Sequence, residues 1–261
     1  GVAYYYRITA VDTANFVNES YFTDSVVAVP GGSFLDVGRM TVYVSDIGNT
    51  GVPTMDSTGA AFPSIGEALY ALNPDNGYDT IVVFTSRLSD SLAQNGSQVL
   101  DTGVTLISHK SYLGSGAGAD STIPKVIFYG SGVALTLPKE VRIEGMTYDL
   151  GSTSLLGGGV TGVQVPSDSV TLKSCSMLNA ETGVDFVSAA AFNLNIDGCT
   201  ATNLYNAVAL QAGGATVRRS SFKQIQHMAV MVKGSLGNHF IADNVITTCS
   251  VAIGLEGSGN N

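Results

Sequence analysis

Tryptophan is absent from this sequence of 261 residues, and charge is scarce: Asp, Glu, Lys and Arg together make up 13% of it, about half the usual share. That scarcity excludes helical bundles and coiled coils, which need Glu, Lys, Arg and Leu in quantity. Only 12 residues are basic, spread from Arg7 to Lys233, against 21 acidic ones, for a formal net charge of −9. A nucleic-acid partner is excluded on that ground, because phosphate recognition needs clustered Lys and Arg. No run reaches 18 apolar residues, so no membrane insertion is expected. Three cysteines without a C-x-x-C pair and three scattered histidines give no zinc spacing. The chain opens on Gly1 with no recognisable signal peptide and reads as a processed product or a fragment. What is present is 44% apolar residues, 31 glycines and abundant Ser, Thr and Asn. That is enough apolar material for a sizeable core in a tightly turned, β-rich protein with a hydroxyl- and amide-covered surface.

Residues 1–30 read as two strands, AYYYRITAVDTA and SYFTDSVVAVP, joined by NFVNE. Tyr4, Tyr6, Ile8 and Ala10 alternate with Tyr5, Arg7, Thr9 and Val11, a period of two. A hairpin with two apolar faces is marginal alone and must pair with something. This stretch resembles the last two strands of a fibronectin type III domain, in which a Tyr-x-Tyr-Arg-Ile strand is followed by Asn-Glu-Ser and a closing strand. The resemblance implies either truncation from a longer sandwich or pairing with other copies of the chain through the hairpin. Residues 31–37 form a turn-rich linker around Pro30-Gly31-Gly32-Ser33. An entry module follows: a strand at 40–45 (MTVYVS), a helix from Pro63 to Leu72 with Ile65, Ala68, Leu69 and Leu72 on one face, and buried strands at 80–84 and 103–108.

The second half contains a repeat. Segments starting at Val170, Leu194, Val217 and Ile241 align with a spacing of 21 to 24 residues. Five apolar columns result: Leu172/Ile196/Val217/Ile241, Met177/Ala201/Phe222/Ile246, Ala180/Leu204/Ile225/Cys249, Val184/Val208/Val230/Ile253 and Phe186/Leu210/Val232/Leu255. A polar column, Asn179/Asn203/Gln224/Thr248, predicts a corner whose side chains bond from one turn to the next. A small column, Gly183/Ala207/Ala229/Ala252, predicts a second tight corner. An earlier copy begins at Val141, with an insertion at 151–159. The physical reading is a solenoid of three-strand turns, each burying its apolar face only against its neighbours. Inward aliphatic columns, corner amides and a rung near 22 residues resemble the right-handed parallel β-helix of the pectin-lyase-like family, over residues 38–261. The resemblance implies an all-β fold in which the 63–72 helix caps the open end. With no closing cap legible after the last rung, the natural protein is expected to continue.

Cys175 and Cys199 share a column continued by Ser220 and Asn244. Stacked strands bring such positions about 4.8 Å apart. Core packing, a disulfide, and a metal or nucleophilic role all stay open, with side chains oriented alike favouring packing. His227 is expected to be a solvated histidine rather than a catalytic base. Lys173, Asp197 and Arg218 fall on successive rungs of one strand, with Arg219 and Asp243 alongside. They form either a surface charge ladder or a sugar-binding or lyase face, where a basic residue removes a proton beside a uronate carboxylate. Tyr205 is the lone exposed aromatic that suits a sugar ring. Asp185 and Asp197 are not paired by register, so the two carboxylates of a glycoside hydrolase are missing. No cofactor is indicated. Calcium is chemically possible at 75–79 (DNGYD), though no motif supports it and a helix-ending turn suits the residues better. The expectation is a structural or adhesive module of a secreted or cell-surface protein, located outside the cell, with polysaccharide or further copies of itself as partners. A polysaccharide lyase or glycoside hydrolase and a non-catalytic carbohydrate-binding module are the alternatives.

Overall fold

The computed structural model describes residues 41–45, 61–72, 79–85, 91–114, 123–151, 159–187, 193–211, 213–233 and 238–256, together with strand positions at 4–6, 11–12, 18–19 and 26–28. The linker at 31–37, the loop at 73–78 and residues 257–261 lie outside them, as do the side-chain faces expected for the hairpin.

Every strand pairing beyond the hairpin is parallel, and two long sheets result. Sheet I has nine strands, from Ala61–Phe62 and Thr41–Ser45 through Thr80–Phe84, Thr105–Ser108, Arg142–Glu144, Thr171–Lys173, Leu194–Asp197 and Ala215–Arg218 to Phe240–Ala242. Sheet II runs from Ser91–Asn95 through Lys125–Tyr129 and Thr147–Asp149 to the long strands Ser176–Phe186, Thr200–Leu210, Ser221–Lys233 and Val245–Glu256. From Thr171 onward the chain alternates between the sheets, one strand of each per turn, whereas the earlier turns add the short strands Gln98–Val99, Gly132–Thr136 and Val160–Val165 to sheet II; the stacked turns build an all-β, solenoid-like molecule.

All five apolar columns are in register. The first is longer than expected, running Val42, Ile81, Leu106, Ile143, Leu172, Ile196, Val217, Ile241. Seven of these eight are buried; Ile241, on the last described turn, is half-buried. The strands at 80–84 and 105–108 are therefore full members of the stack, not only an entry module. The insertion after the Val141 copy is also placed. Thr147–Asp149 and Val160–Val165 pair with successive parts of the single strand Ser176–Phe186.

Three left-handed bends per turn explain how short straight segments close into a rung: Gly103, Glu140, Ser169 and Asn193 form one column, with φ of 81°, 64°, 60° and 70°. Asn179, Asn203, Gln224 and Thr248 have φ of 58°, 58°, 56° and 56°. Gly145, Ser174, Gly198, Arg219 and Asp243 have φ of 70°, 52°, 63°, 51° and 55°. Asn and Gly tolerate this region best, which is why they recur at these columns. At the small column, Gly183 and Ala207 have no positive φ, and they lie in the same strands, Ser176–Phe186 and Thr200–Leu210, as the bends at Asn179 and Asn203. The small side chain is required by packing, since a Cβ on Gly183 would sit 2.6 Å from the carbonyl oxygen of Ala207.

The first helix, α1, spans Ile65–Ala71, with Ser64 as N-cap accepting a bond from the Glu67 amide at 3.2 Å. Pro63 thus precedes the cap and is not the first helical residue. Ile65, Ala68 and Leu72 enter the core, and Leu69 packs against it. A second helix, α2 (His109–Leu113), was not expected; Ser108 caps it through the Ser111 amide. At the N-terminus, Tyr4–Tyr6 pairs antiparallel with Val26–Ala28 and Val11–Asp12 with Asn18–Glu19, so part of the expected connecting loop joins the ladder.

Candidate functional site

Side chains alternate along sheet I, so the residues flanking the buried column face outward. One outward column is Glu144, Lys173, Asp197, Arg218, each paired in register with the next. Lys173, Asp197 and Arg218 are therefore brought together as expected. Arg142 and Glu144 extend the ladder by one rung. The alignment of the Val141 copy already placed Arg-Ile-Glu over Thr-Leu-Lys, and that was the signal for them.

The ladder has a layered electrostatic structure. The two carboxylates are sunk, with 11% and 9% side-chain exposure for Glu144 and Asp197. The cations lie over them and stay 43–60% exposed: 47% for Arg142, 44% for Lys173, 43% for Arg218 and 60% for Arg219. Arg142 and Lys173 pair with Glu144, the latter at 3.0 Å. Arg218 reaches Asp197 at 3.3 Å, and Arg219 grips the same carboxylate in a fork, with Nε on Oδ1 at 2.8 Å. The hydrogen bond from Arg219 holds the Asp197 carboxyl below its usual value, with Arg218 adding to it. For Glu144, burial pushes the pKa up but is outweighed by the bonds from Arg142 and Lys173, so it too sits low. Both carboxylates are ionised at neutral pH, and neither has the raised pKa that a glycosidase acid requires.

Tyr205 is not part of this face. It lies in sheet II on Thr200–Leu210, half-buried, with its ring stacked on His227 at 5.0 Å between centroids and 14° between planes. His227 Nδ1 is 3.0 Å from Asn206 Oδ1. Both residues are half-buried, and each ring covers one face of the other. The cause is a bulge: Ser221–Lys233 carries one more residue than its neighbour between Ile225 and Val230, which tucks His227 against the rung before it. His109 is also buried, with Phe84 edge-on at 5.2 Å.

Cys175 and Cys199 are free and buried. Their Sγ atoms contact backbone oxygens, Lys173 O at 3.3 Å and Leu172 O at 3.4 Å, as small hydrophobes with a weak donor do. The hydrogen bond with Cys199 and burial both push the Cys175 thiol up, which keeps it unreactive. The expected column continues: Cys199 N donates to Ser220 Oγ at 3.1 Å, and Ser220 N to Asn244 Oδ1 at 2.9 Å. Asp185, in sheet II opposite Ala209, is pushed up by burial and is not brought near Asp197 by register. Among the described residues, no group of three or more His, Cys, Asp or Glu is placed to hold a metal, and no helix is long and apolar enough to cross a membrane. The calcium reading at 75–79 falls largely outside the described residues. No protein-family model matches this chain, and no curated protein matches it significantly.

Proposed function

We propose that the chain is a structural and adhesive β-helical module of a secreted or cell-surface protein, binding acidic polysaccharide along the outward ladder of sheet I. In this reading the solenoid is a right-handed, pectin-lyase-like β-helix, α1 caps its end, and residues 1–30 are the closing strands of a fibronectin type III-like unit. The observation that carries the ligand is the layering of the ladder. Two sunk carboxylates orient four cations whose outer N–H edges stay in water, on a chain that is acidic elsewhere. Guanidinium groups fixed in this way recognise carboxylates in a bidentate manner. Stacked rungs repeat the feature along a line, as an extended polymer requires.

The test is binding of polygalacturonate to the full chain, compared with the double variant Lys173→Ala/Arg218→Ala. Expected are salt-sensitive binding to the native chain, a loss of about tenfold or more in the variant, and no new absorbance from unsaturated uronate with or without calcium. Binding that is unchanged in the variant removes the ladder from the proposal. Release of unsaturated sugars would replace the adhesive reading with a lyase.

A further inference from the structure

The outward face of sheet I carries a second column beside the charged ladder. Side chains two residues apart on a strand share a face. The positions two before each ladder residue therefore form a file of their own: Arg142, Thr171, Asn195, Thr216 and Phe240, in register from strand to strand. The two files run side by side along the solenoid axis, about 6.7 Å apart, with about 4.8 Å from one rung to the next.

The second file has a different chemistry. Arg142 leans across to Glu144 and belongs to the ladder. Thr171, Asn195 and Thr216 are neutral and half-exposed, and among the described residues none of their side chains has a hydrogen-bond partner. They offer two hydroxyls and an amide, groups that both donate and accept. Phe240 ends the file at 59% exposure, which makes it the most exposed aromatic among the described residues. It stands on the turn where the charged column gives way to Ala242, so its ring is flanked by Thr216 and a small neighbour.

A uronate ring has the same two-edged form. Its C6 carboxylate projects from one edge and its O2 and O3 hydroxyls from the other, across a width close to the separation of the two files. The 1,4-linkages of the polymer run at right angles to that line, as the solenoid axis runs to the strands. We propose that the neutral file is the second edge of the polysaccharide site. With carboxylates over Lys173 and Arg218, ring hydroxyls meet Thr171, Asn195 and Thr216, and the C–H face of a further ring lies on Phe240. The assignment rests on the ladder reading above and narrows its partner to a polyuronate with free C2 and C3 hydroxyls.

The probes are polygalacturonate and its 2,3-di-O-acetylated form, which keeps every carboxylate and loses those hydroxyls. Calorimetry compares them on the full native chain, on Thr171→Val/Thr216→Val and on Phe240→Ala, with the melting profile of each variant as the control for folding. The native chain should prefer the unacetylated polymer by about tenfold. The threonine variant should bind the acetylated form as the native chain does and bring the preference down to within about twofold. Phe240→Ala should weaken polygalacturonate binding about fivefold. Equal affinity of the native chain for the two polymers, or a preference that survives the threonine variant, removes the neutral file and leaves the ladder in place. Unchanged affinity in Phe240→Ala overturns the role of the ring. A native chain that binds neither polymer fails the ladder and the file together.

Discussion

Asp185 and Asp197 show how the same side chain acquires opposite roles from its surroundings. Arg219 and Arg218 lower the pKa of Asp197, whereas burial raises that of Asp185, with Lys233 only partly opposing it. The signs follow by linkage. A carboxyl with a depressed folded pKa stabilises the fold above its ordinary value and loses that contribution as pH falls through the folded value. Asp197, Glu144 and Asp149 are in this class, with ordinary values of 3.8, 4.5 and 3.8, so acid should weaken the protein below about pH 4. A carboxyl with a raised folded pKa does the reverse: its contribution is complete below 3.8 and is lost as pH rises through the folded value. Ionised Asp185 therefore costs stability at neutral pH. Asp185→Asn should raise the urea midpoint at pH 7, with the gain shrinking toward pH 3. A variant equal to or weaker than the native chain at pH 7 would show that Asp185 has found a partner in solution.

At the scale of the element, the bend at the polar column joins backbone strain to a side-chain ladder. Asn203 Nδ2 donates to Asn179 Oδ1 at 2.7 Å, and Asn179 Nδ2 to Asp149 Oδ1 at 2.8 Å. Lys125 closes the row on Asp149 at 2.8 Å. Asn179→Ala removes two of these bonds and puts a Cβ-bearing residue without a local hydrogen bond at φ 58°, so a loss of about 2–3 kcal/mol is expected. Asn179→Gly keeps the backbone unstrained and should lose less. Urea unfolding of both separates strain from ladder; equal losses would leave the conformation without a role. These columns were legible in the sequence because the last turns keep a near-constant period. From Ile81 to Leu106, Ile143 and Leu172 the period is broken by α2 and by the insertion at 151–159, so membership of the early strands was hidden although their Ile and Leu belong to the same column. The charge ladder was legible for the same reason.

For the whole molecule, stacking makes stability a property of position along the axis. Each turn contacts chiefly the turn before and the turn after, so interior turns gain two interfaces and a terminal one gains one. The described turns follow this closely. Leu210 and Val208 are 0% and 2% exposed, whereas Leu255 and Ile253, in the same columns two turns later, are 82% and 49% exposed. In the 261-residue chain, where no described strand pairs with the outer edge of Val245–Glu256, that strand should open locally at a lower free energy than Ser176–Phe186 or Thr200–Leu210, and hydrogen exchange should be fastest there and slow progressively inward. Paired substitutions give the same reading by another route. Leu210→Asp places an unpaired carboxylate inside the stack and should prevent folding, while Leu255→Asp should be tolerated with a small change in melting temperature. The contrast also bears on the proposed ladder, whose paired charges lie on the protected interior turns 142–144 to 215–218 and so keep their spacing while the last turn opens. Uniform exchange protection across all four long strands, with equal damage from the two aspartates, would mean that the turns unfold as one unit, and the graded picture would have to be given up.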